Sequence, residues 1–172
     1  MKFCVNFFIF LYLFVQSLVA TEKEEHMVLC RNCGRDIADP YFLKVSPLSP
    51  FFLERQNVTM FGSQVSIPVE QLRNPAGIEF KVVTFTRAGC TGVGEWTSEA
   101  SWYPGYLWRG CICPHCRAHI GWMFEPEDTA VEERQKPSGA GFYAIIVNKV
   151  IDENFASTLT ITQQLKDRGP DH

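Results

Sequence analysis

The sequence lacks an excess of charge of either sign, since 16 basic residues stand against 19 acidic residues and leave a net charge of −3. This balance gives the chain no global reason to bind nucleic acid or an anionic membrane. Internal repeats and convincing helices longer than two turns are also missing. Aromatic residues (13%) and hydrophobic residues (46%) are abundant, which excludes a chain that is disordered throughout.

The sequence has only one hydrophobic run long enough to approach the thickness of a bilayer. It covers residues 3–20, follows Lys2 and precedes a charged segment. One basic residue, an apolar core and small residues near its end are typical of a secretory signal peptide. We therefore predict a signal peptide over residues 1–20, cleaved after Ser17 or Ala20, and a secreted protein with no membrane association after cleavage. The alternative is an uncleaved signal anchor, because the run is only just long enough to span.

The rest of the pattern predicts an all-β domain of antiparallel strands over residues 26–150, followed by a polar tail at 151–172 that forms either an edge strand or a loose end. Ten prolines and twelve glycines favour such a fold over a helical bundle. Asn57, Val58 and Thr59 form a glycosylation sequon in a polar stretch, and we expect Asn57 on a surface loop.

Alternation and turn residues locate the main strands. Residues 79–87 alternate between apolar and polar and predict a half-buried strand, whereas residues 88–95 are rich in glycine and predict turns. Residues 109–124 indicate two strands joined by a Cys-x-x-Cys turn. A Pro-Gly pair at 104–105 favours a type II turn. A long loop and a closing strand at 142–147 follow.

The cysteines carry the strongest chemical signal. Of the seven, Cys4 would leave with the signal peptide, and four form two Cys-x-x-Cys turns: Cys30 with Cys33, and Cys113 with Cys116. Two such turns supply four thiolates for one tetrahedral zinc ion, and four protein ligands leave no open position for a catalytic water. We predict one structural zinc that clamps the two ends of the domain.

Two alternatives to this zinc site stay open. Six cysteines in an oxidising compartment allow fifteen disulfide pairings, although two matched turns suit an ion better than strained bridges. His115 or His119 would also serve as a replacement ligand. The remaining pair, Cys90 and Cys111, lies near strand ends, and we expect a disulfide there, with two buried free thiols as the alternative.

Three of the four tryptophans lie within 21 residues. Trp102 and Trp108 flank the Pro-Gly turn, while Trp122 and Phe124 share one face of the following strand. Converging indoles make a box that suits a compact planar or cationic group. The alternative is that the three tryptophans are ordinary core residues.

These segments resemble the thalidomide-binding domain of the cereblon family, the CULT domain. The likeness rests on the run from Ser98 to Trp108, on Cys113-x-x-Cys116-x-x-His119-Ile120-Gly121-Trp122-x-Phe124, and on the upstream Cys30-x-x-Cys33 and Asn74-Pro75-x-Gly77. Its order and spacing cover residues 26–150. The organisation is also similar to that of small secreted proteins with a single CULT domain.

The resemblance implies a β-tent of two antiparallel sheets pinned by a Cys4 zinc. It implies a tri-tryptophan pocket that takes a glutarimide-like cyclic imide, a uracil-like ring or the C-terminal cyclic imide of a damaged protein. The backbone between Ala100 and Trp102 would read the imide. The implied ligand-binding residues are Trp102, Trp108, Trp122, Phe124, Ala100, Ser101, Glu99, Asn74 and Pro75.

The sequence also departs from the family. Ala100 and Ala76 replace histidines, so we expect the imide core to bind with altered contacts at the rim. A ubiquitin-ligase partner is not expected, because no docking domain accompanies this one and a secreted protein would not meet that machinery.

Two other functions compete with a binding module. The first is an enzyme that resembles methionine sulfoxide reductase B, but no cysteine follows Cys116 to act as its nucleophile, and no Gly-x-Ser-x-Gly elbow supports a hydrolase. We therefore expect no enzyme activity. The second is an extracellular interaction domain without a small-molecule ligand.

Overall fold

The computed structural model of the chain describes residues 27–45, 47–62 and 66–157. The predicted signal peptide at 1–20, with Cys4, and the tail from 158 onward lie outside these residues. Within the described ranges, no helix has the length and apolar character needed to cross a membrane.

The described residues form two antiparallel sheets, as predicted. The strands are β1 (Val28–Cys30), β2 (Asp36–Ala38), β3 (Leu43–Lys44), β4 (Glu54–Val58), β5 (Ile67–Arg73), β6 (Glu79–Phe85), β7 (Thr91–Thr97), β8 (Tyr106–Ile112), β9 (His119–Pro126), β10 (Phe142–Ile146) and β11 (Val150–Asp152). The large sheet has the order β4-β5-β6-β10-β9-β8-β7, with β3 paired to β6 as well. The small sheet has the order β11-β1-β2.

Both faces of the large sheet are covered. Its inner face packs against the small sheet in one hydrophobic cluster, which includes Val28 and Val150 from the small sheet and Val83, Met123 and Ile145 from the large sheet. Its outer face carries a second cluster, whose buried members are Leu72, Val82, Trp102, Tyr103, Phe124, Phe142, Ala144 and Ile146. Because side chains alternate along a strand, β6, β9 and β10 contribute to both clusters.

This double coverage corrects the prediction for residues 79–87. The strand ends at Phe85, and its last four residues are all buried rather than half-buried. Val83 and Phe85 belong to the inner cluster, whereas Val82 belongs to the outer cluster. Thr84 was counted as a polar, solvent-facing position of the alternation. Its hydroxyl instead donates to the Lys44 carbonyl, so the residue is buried and the alternation did not reveal that this face is covered.

The prediction of turns at 88–95 was wrong, because strand β7 begins at Thr91 and continues to Thr97. Small residues here serve packing between strands. A side chain at Gly92 would meet the Arg109 side chain, and one at Gly110 would meet Val93 on the neighbouring strand. The β7–β8 register shifts after Val93, so the pairing is irregular where the glycines are densest.

The predicted turn and closing strand are confirmed. Gly105 has φ +81°, and the Tyr106 amide donates to the Tyr103 carbonyl at 3.1 Å, as a type II turn requires. The closing strand Phe142–Ile146 lies in the middle of the large sheet, between β6 and β9.

Asn57 lies in a strand instead of the predicted surface loop, and the start of the tail takes the edge-strand alternative. Asn57 is exposed on the edge strand β4, opposite Pro68, and its glycosylation stays a prediction. Strand β11 extends two residues past 150 and pairs with β1, and residues 153–157 are helical.

Candidate metal centre and aromatic pocket

The two Cys-x-x-Cys turns meet at one point and join the two sheets. Cys30 ends strand β1 of the small sheet, and Cys113 follows strand β8 of the large sheet. The four sulfur atoms lie within 4.8 Å of one another. The cluster therefore links segments that are about eighty residues apart in the chain.

The two turns share one backbone design. In each, the amide of the first cysteine donates to the carbonyl five residues later, at 2.8 Å. The amide four residues later donates back to the first cysteine's carbonyl, and that residue has a positive φ: +72° at Gly34 and +63° at Arg117. Glycine adopts this conformation freely, whereas arginine is strained in it.

The sulfur geometry and chemistry fit zinc. Cys30 Sγ lies 3.7 Å from Cys116 Sγ, and Cys33 Sγ lies 3.6 Å from Cys113 Sγ. A tetrahedral ion with zinc–sulfur bonds of about 2.3 Å places its ligands about 3.8 Å apart. Burial raises the pKa of the Cys30 thiol to about 12, whereas the Asn32 side chain and the Ala118 amide lower that of Cys116 to about 6. A zinc ion supplies the positive charge that lets all four thiolates coexist. We conclude that the four cysteines form one structural zinc site.

The zinc site needs neither a histidine ligand nor a different disulfide pairing of the cysteines. The ring of His119 packs against Trp122, with centroids 4.7 Å apart, and burial lowers its pKa. Cys90 and Cys111 form a disulfide with Cα atoms 5.6 Å apart, which leaves the four clustered cysteines as the free thiols of the described residues.

A cavity of about 400 Å³ lies on the outer face. It is lined by eight of the nine predicted ligand-binding residues: Trp102, Trp108, Trp122, Phe124, Ala100, Glu99, Asn74 and Pro75. The structure thus brings together two segments, around residues 74 and 100, that lie far from β9 in the sequence. Whether these residues bind a ligand is a question for experiment, taken up below.

The indoles that line the cavity are held in fixed orientations. The Trp102 ring nitrogen donates to the Arg73 carbonyl at 2.9 Å, and the Trp108 ring nitrogen donates to the Glu99 carbonyl at 2.8 Å. Trp122 stands edge-on to Trp102, with centroids 4.7 Å apart and planes at 77°. Because two polar ring edges are already satisfied, the walls of the cavity offer mainly flat apolar faces.

Comparison with known proteins finds the same likeness. Curated cereblon proteins match from Drosophila grimshawi (29% identical over 117 residues), Drosophila virilis (29% over 126) and Drosophila melanogaster (28% over 114). These alignments cover 66%, 72% and 64% of this chain. No family model matches the sequence. The chain contains a cereblon-like CULT domain. It spans only 15%, 16% and 17% of the length of these three relatives.

The CULT-like domain has one predicted ligand-binding residue outside its cavity and two lining residues, Ala76 and Thr97, that the predicted set did not include. The Ser101 hydroxyl bonds to the carbonyls of Tyr103 (3.1 Å) and Tyr106 (2.8 Å), so it supports the Pro-Gly turn instead of lining the cavity. Thr97 lines the cavity from the end of β7. Because residues 88–95 were predicted to form turns, no pattern placed Thr97 on a strand beside the tryptophans.

A buried polar network supports the cavity wall from behind. Glu70 is 2% exposed and accepts hydrogen bonds from the Arg55 guanidinium (2.5 Å), the Ser49 amide (3.1 Å) and the Tyr103 hydroxyl (3.1 Å). Burial, together with the Glu70 charge, raises the pKa of Tyr103. The Ser49 hydroxyl donates to the Trp102 carbonyl at 2.7 Å. The network therefore fixes the backbone of Trp102, one wall of the cavity.

Trp96, which has no role in the sequence predictions, helps to hold the long loop. Its ring nitrogen and the Arg109 guanidinium both donate to the Arg134 carbonyl at 3.2 Å, and Arg109 lies over the Trp96 ring at 5.4 Å. The Arg134 guanidinium in turn lies 3.3 Å from the buried carboxylate of Glu125. Trp96 is absent from the cavity lining, so it serves as an internal reference for the other three tryptophans.

Proposed function

We propose that this CULT-like domain is a secreted binding module for a small cyclic imide or uracil-like ring, including the C-terminal cyclic imide of a damaged protein. The observation that carries the proposal is the convergence of three oriented indoles on a cavity of about 400 Å³. A flat five- or six-membered ring stacks well on such walls. The proposal assigns no catalysis and no ubiquitin-ligase partner to this chain.

Backbone groups beside the indoles support the choice of an imide. Within the described residues, neither the Ala100 carbonyl nor the Trp102 amide has a hydrogen-bond partner. An imide presents an N–H donor beside a carbonyl acceptor, which complements one free carbonyl and one free amide. Ala100 holds a strained φ of +53°, and such strain in a non-glycine residue is typical of ligand sites.

Two other backbone groups of the same segment are already hydrogen-bonded, which limits the groups that could bind the imide. The Trp102 carbonyl accepts from Ser49, and the Ser101 amide donates to the Ser98 carbonyl at 3.1 Å. These two groups are therefore engaged inside the protein. The ring would be read by the Ala100 carbonyl and the Trp102 amide alone.

A fluorescence titration tests the proposal. Zinc-loaded protein would be titrated with glutarimide, uridine and N-methylglutarimide, which lacks the imide N–H. We expect saturable changes in tryptophan fluorescence with the first two, and at least tenfold weaker binding of the methylated ring because the Ala100 carbonyl loses its donor. No saturable response from folded protein with one zinc per chain would refute ring binding.

Matched variants separate ligand binding from folding. Trp122→Ala removes one wall and should abolish the response while zinc content stays at one per chain. Trp96→Phe removes an indole outside the cavity and should leave the affinity unchanged. Loss of both zinc and binding in Trp122→Ala would instead indicate a core role for the tryptophans, as in an interaction domain without a small ligand.

Secretion belongs to the same proposal and rests on the sequence of residues 1–20. A disulfide between Cys90 and Cys111 is consistent with an oxidising compartment. Expression in a secreting cell with mass spectrometry of the mature N-terminus would test it, and the same spectrum would report a glycan at Asn57.

A further inference from the structure

A second cavity lies on the opposite side of the large sheet from the tryptophan pocket. It measures about 480 Å³ and shares no lining residue with that pocket. Its walls come from β2, from the short 3-10 turn Pro40–Phe42, from the segment after β6, from the long loop and from β10. Apolar and charged side chains are mixed in this lining, which is common in small-molecule sites.

Tyr143 contributes a hydroxyl to the wall of the cavity. Its side chain is 3% exposed, and within the described residues its hydroxyl makes no hydrogen bond. The hydroxyl oxygen reaches the surface of the cavity, since the fully buried side-chain polar atom without a partner in the described part of the chain is Arg109 Nε. Burial raises the pKa of Tyr143, so the phenol stays protonated and remains a donor at neutral pH.

Arg87 stands beside this phenol on a fixed segment. Its guanidinium lies over the Phe42 ring at 4.7 Å. The Thr86 amide and hydroxyl both donate to the Phe42 carbonyl, at 2.8 and 3.2 Å, and the Gly89 amide donates to the Ile37 carbonyl at 2.6 Å. Arg87 forms no ion pair with any described carboxylate. The guanidinium is therefore held in place, and no carboxylate of the described residues pairs with it.

Lys136 adds a second cation from the long loop. Two residues later, the Ser138 amide donates to the buried Glu125 carboxylate at 2.6 Å, which fixes this part of the loop against the domain. Like Arg87, Lys136 has no ion-pair partner among the described residues.

Two carboxylates, those of Asp36 and Asp39, also line the cavity. Asp39 accepts a hydrogen bond from the Tyr41 amide at 2.7 Å and caps the 3-10 turn. Asp36 is exposed on β2. The charge that acts on the pKa of Tyr143 is that of Arg87, which opposes the effect of burial.

We propose that this cavity binds a small monocarboxylate that carries a flat apolar body. The guanidinium of Arg87 pairs with the carboxylate, because its planar fork matches the two oxygens. The Tyr143 hydroxyl donates to the same carboxylate. Lys136, at the opening of the cavity, partly neutralises the negative charge of that carboxylate. The apolar body packs against the Phe42 side of the cavity.

Benzoate, benzamide and benzylamine are the probes, since they share a ring and differ in charge. Isothermal titration of the zinc-loaded domain should show saturable binding of benzoate, at least tenfold weaker binding of benzamide, and none of benzylamine. Bound benzoate should also raise the pKa of Tyr143, followed by phenolate absorbance, because a nearby anion disfavours the phenolate. Equal affinity for benzoate and benzamide would overturn the proposal.

Variants locate the binding. Arg87→Gln should weaken benzoate at least tenfold and Tyr143→Phe severalfold, whereas Lys81→Gln, which removes one positive charge from an exposed position on β6 outside this cavity, should change nothing. Trp122→Ala should keep full benzoate affinity. Unchanged affinity in both cavity variants, or loss of benzoate binding in Trp122→Ala with zinc retained, would contradict the proposal, and neither result depends on imide binding.

Discussion

The inner and outer faces of the large sheet are both covered, yet different chemistry holds the two covers in place. The inner cover is the small sheet, which the zinc cluster ties to β8 and β9. The outer cover is the segment around Trp102 and Tyr103. It is secured by the Ser49 hydroxyl, which donates to the Trp102 carbonyl, and by the buried Glu70 carboxylate, which accepts from the Tyr103 hydroxyl. The difference shows that one face is fixed by cross-links and the other by a polar network that leaves room for a cavity.

The largest effect should come from the zinc site. Cys113→Ser removes a ligand from the buried cluster, and the domain should lose zinc and unfold. Structural zinc contributes about 10–16 kcal/mol in small domains, which exceeds the roughly 5–15 kcal/mol stability of a typical domain. Zinc content and circular dichroism measure the result. A folded, cooperative spectrum without zinc would show that packing alone holds the inner cover.

Glu70→Ala should give the next largest effect, on the outer face. It leaves the partly buried Arg55 without its carboxylate and frees the Ser49 amide and the Tyr103 hydroxyl. Breaking a buried ion pair costs about 3–5 kcal/mol. Urea unfolding at full zinc occupancy is the measurement. A loss below about 1 kcal/mol would mean that the network is not what holds the outer cover.

Removal of the disulfide should cost somewhat less. The double variant Cys90→Ala and Cys111→Ala opens a cross-link between positions 21 residues apart. A loop of that length is worth about 3 kcal/mol of stability in the chain-entropy account. The expected result is a lower urea midpoint with one zinc still bound. Simultaneous loss of zinc would show that the two cross-links on this side of the sheet act as one unit.

Tyr103→Phe removes one hydroxyl from the network and keeps the ring. We expect a loss of about 1 kcal/mol, because a single hydrogen bond to the Glu70 carboxylate disappears while the rings of Phe124 and Phe142 stay packed. The same urea unfolding experiment measures it. A loss equal to that of Glu70→Ala would place the whole network's contribution in this one bond.

The smallest effect is expected at the strained residue of the second zinc turn. Arg117 holds φ +63° where Gly34 occupies the equivalent place in the first turn. Arg117→Gly relieves that strain and should stabilise the domain by less than about 1 kcal/mol, since glycine also increases the entropy of the unfolded chain. Gly34→Arg, the reverse exchange, should destabilise it. Opposite signs in the two variants are the outcome that supports equivalent turns.

Local sequence patterns predicted the zinc turns, the Pro-Gly turn and most of the cavity lining, but they did not predict the polar network that secures the outer cover. The Cys-x-x-Cys spacing and the Pro-Gly turn each act within a few residues, so the zinc ligands and the type II turn were predictable. The Glu70 network joins Ser49, Arg55 and Tyr103, which come from three separate segments. No spacing rule connects them, and only the folded chain shows that they meet. Strand β7 was missed for a related reason, because its Gly92 lies against the Arg109 side chain of the neighbouring strand, and this tertiary contact is not visible in the local sequence.

The zinc cluster and the small sheet also determine how late in synthesis the domain can complete its fold. Strand β1 lies between β2 and β11, so it waits for residues 150–152, and Cys30 and Cys33 wait for Cys113 and Cys116. At about 5–20 residues per second, the second pair of thiols emerges roughly 4 to 16 seconds after the first. For that interval the first two thiols have no partner turn, and the inner face of the nascent sheet has no cover.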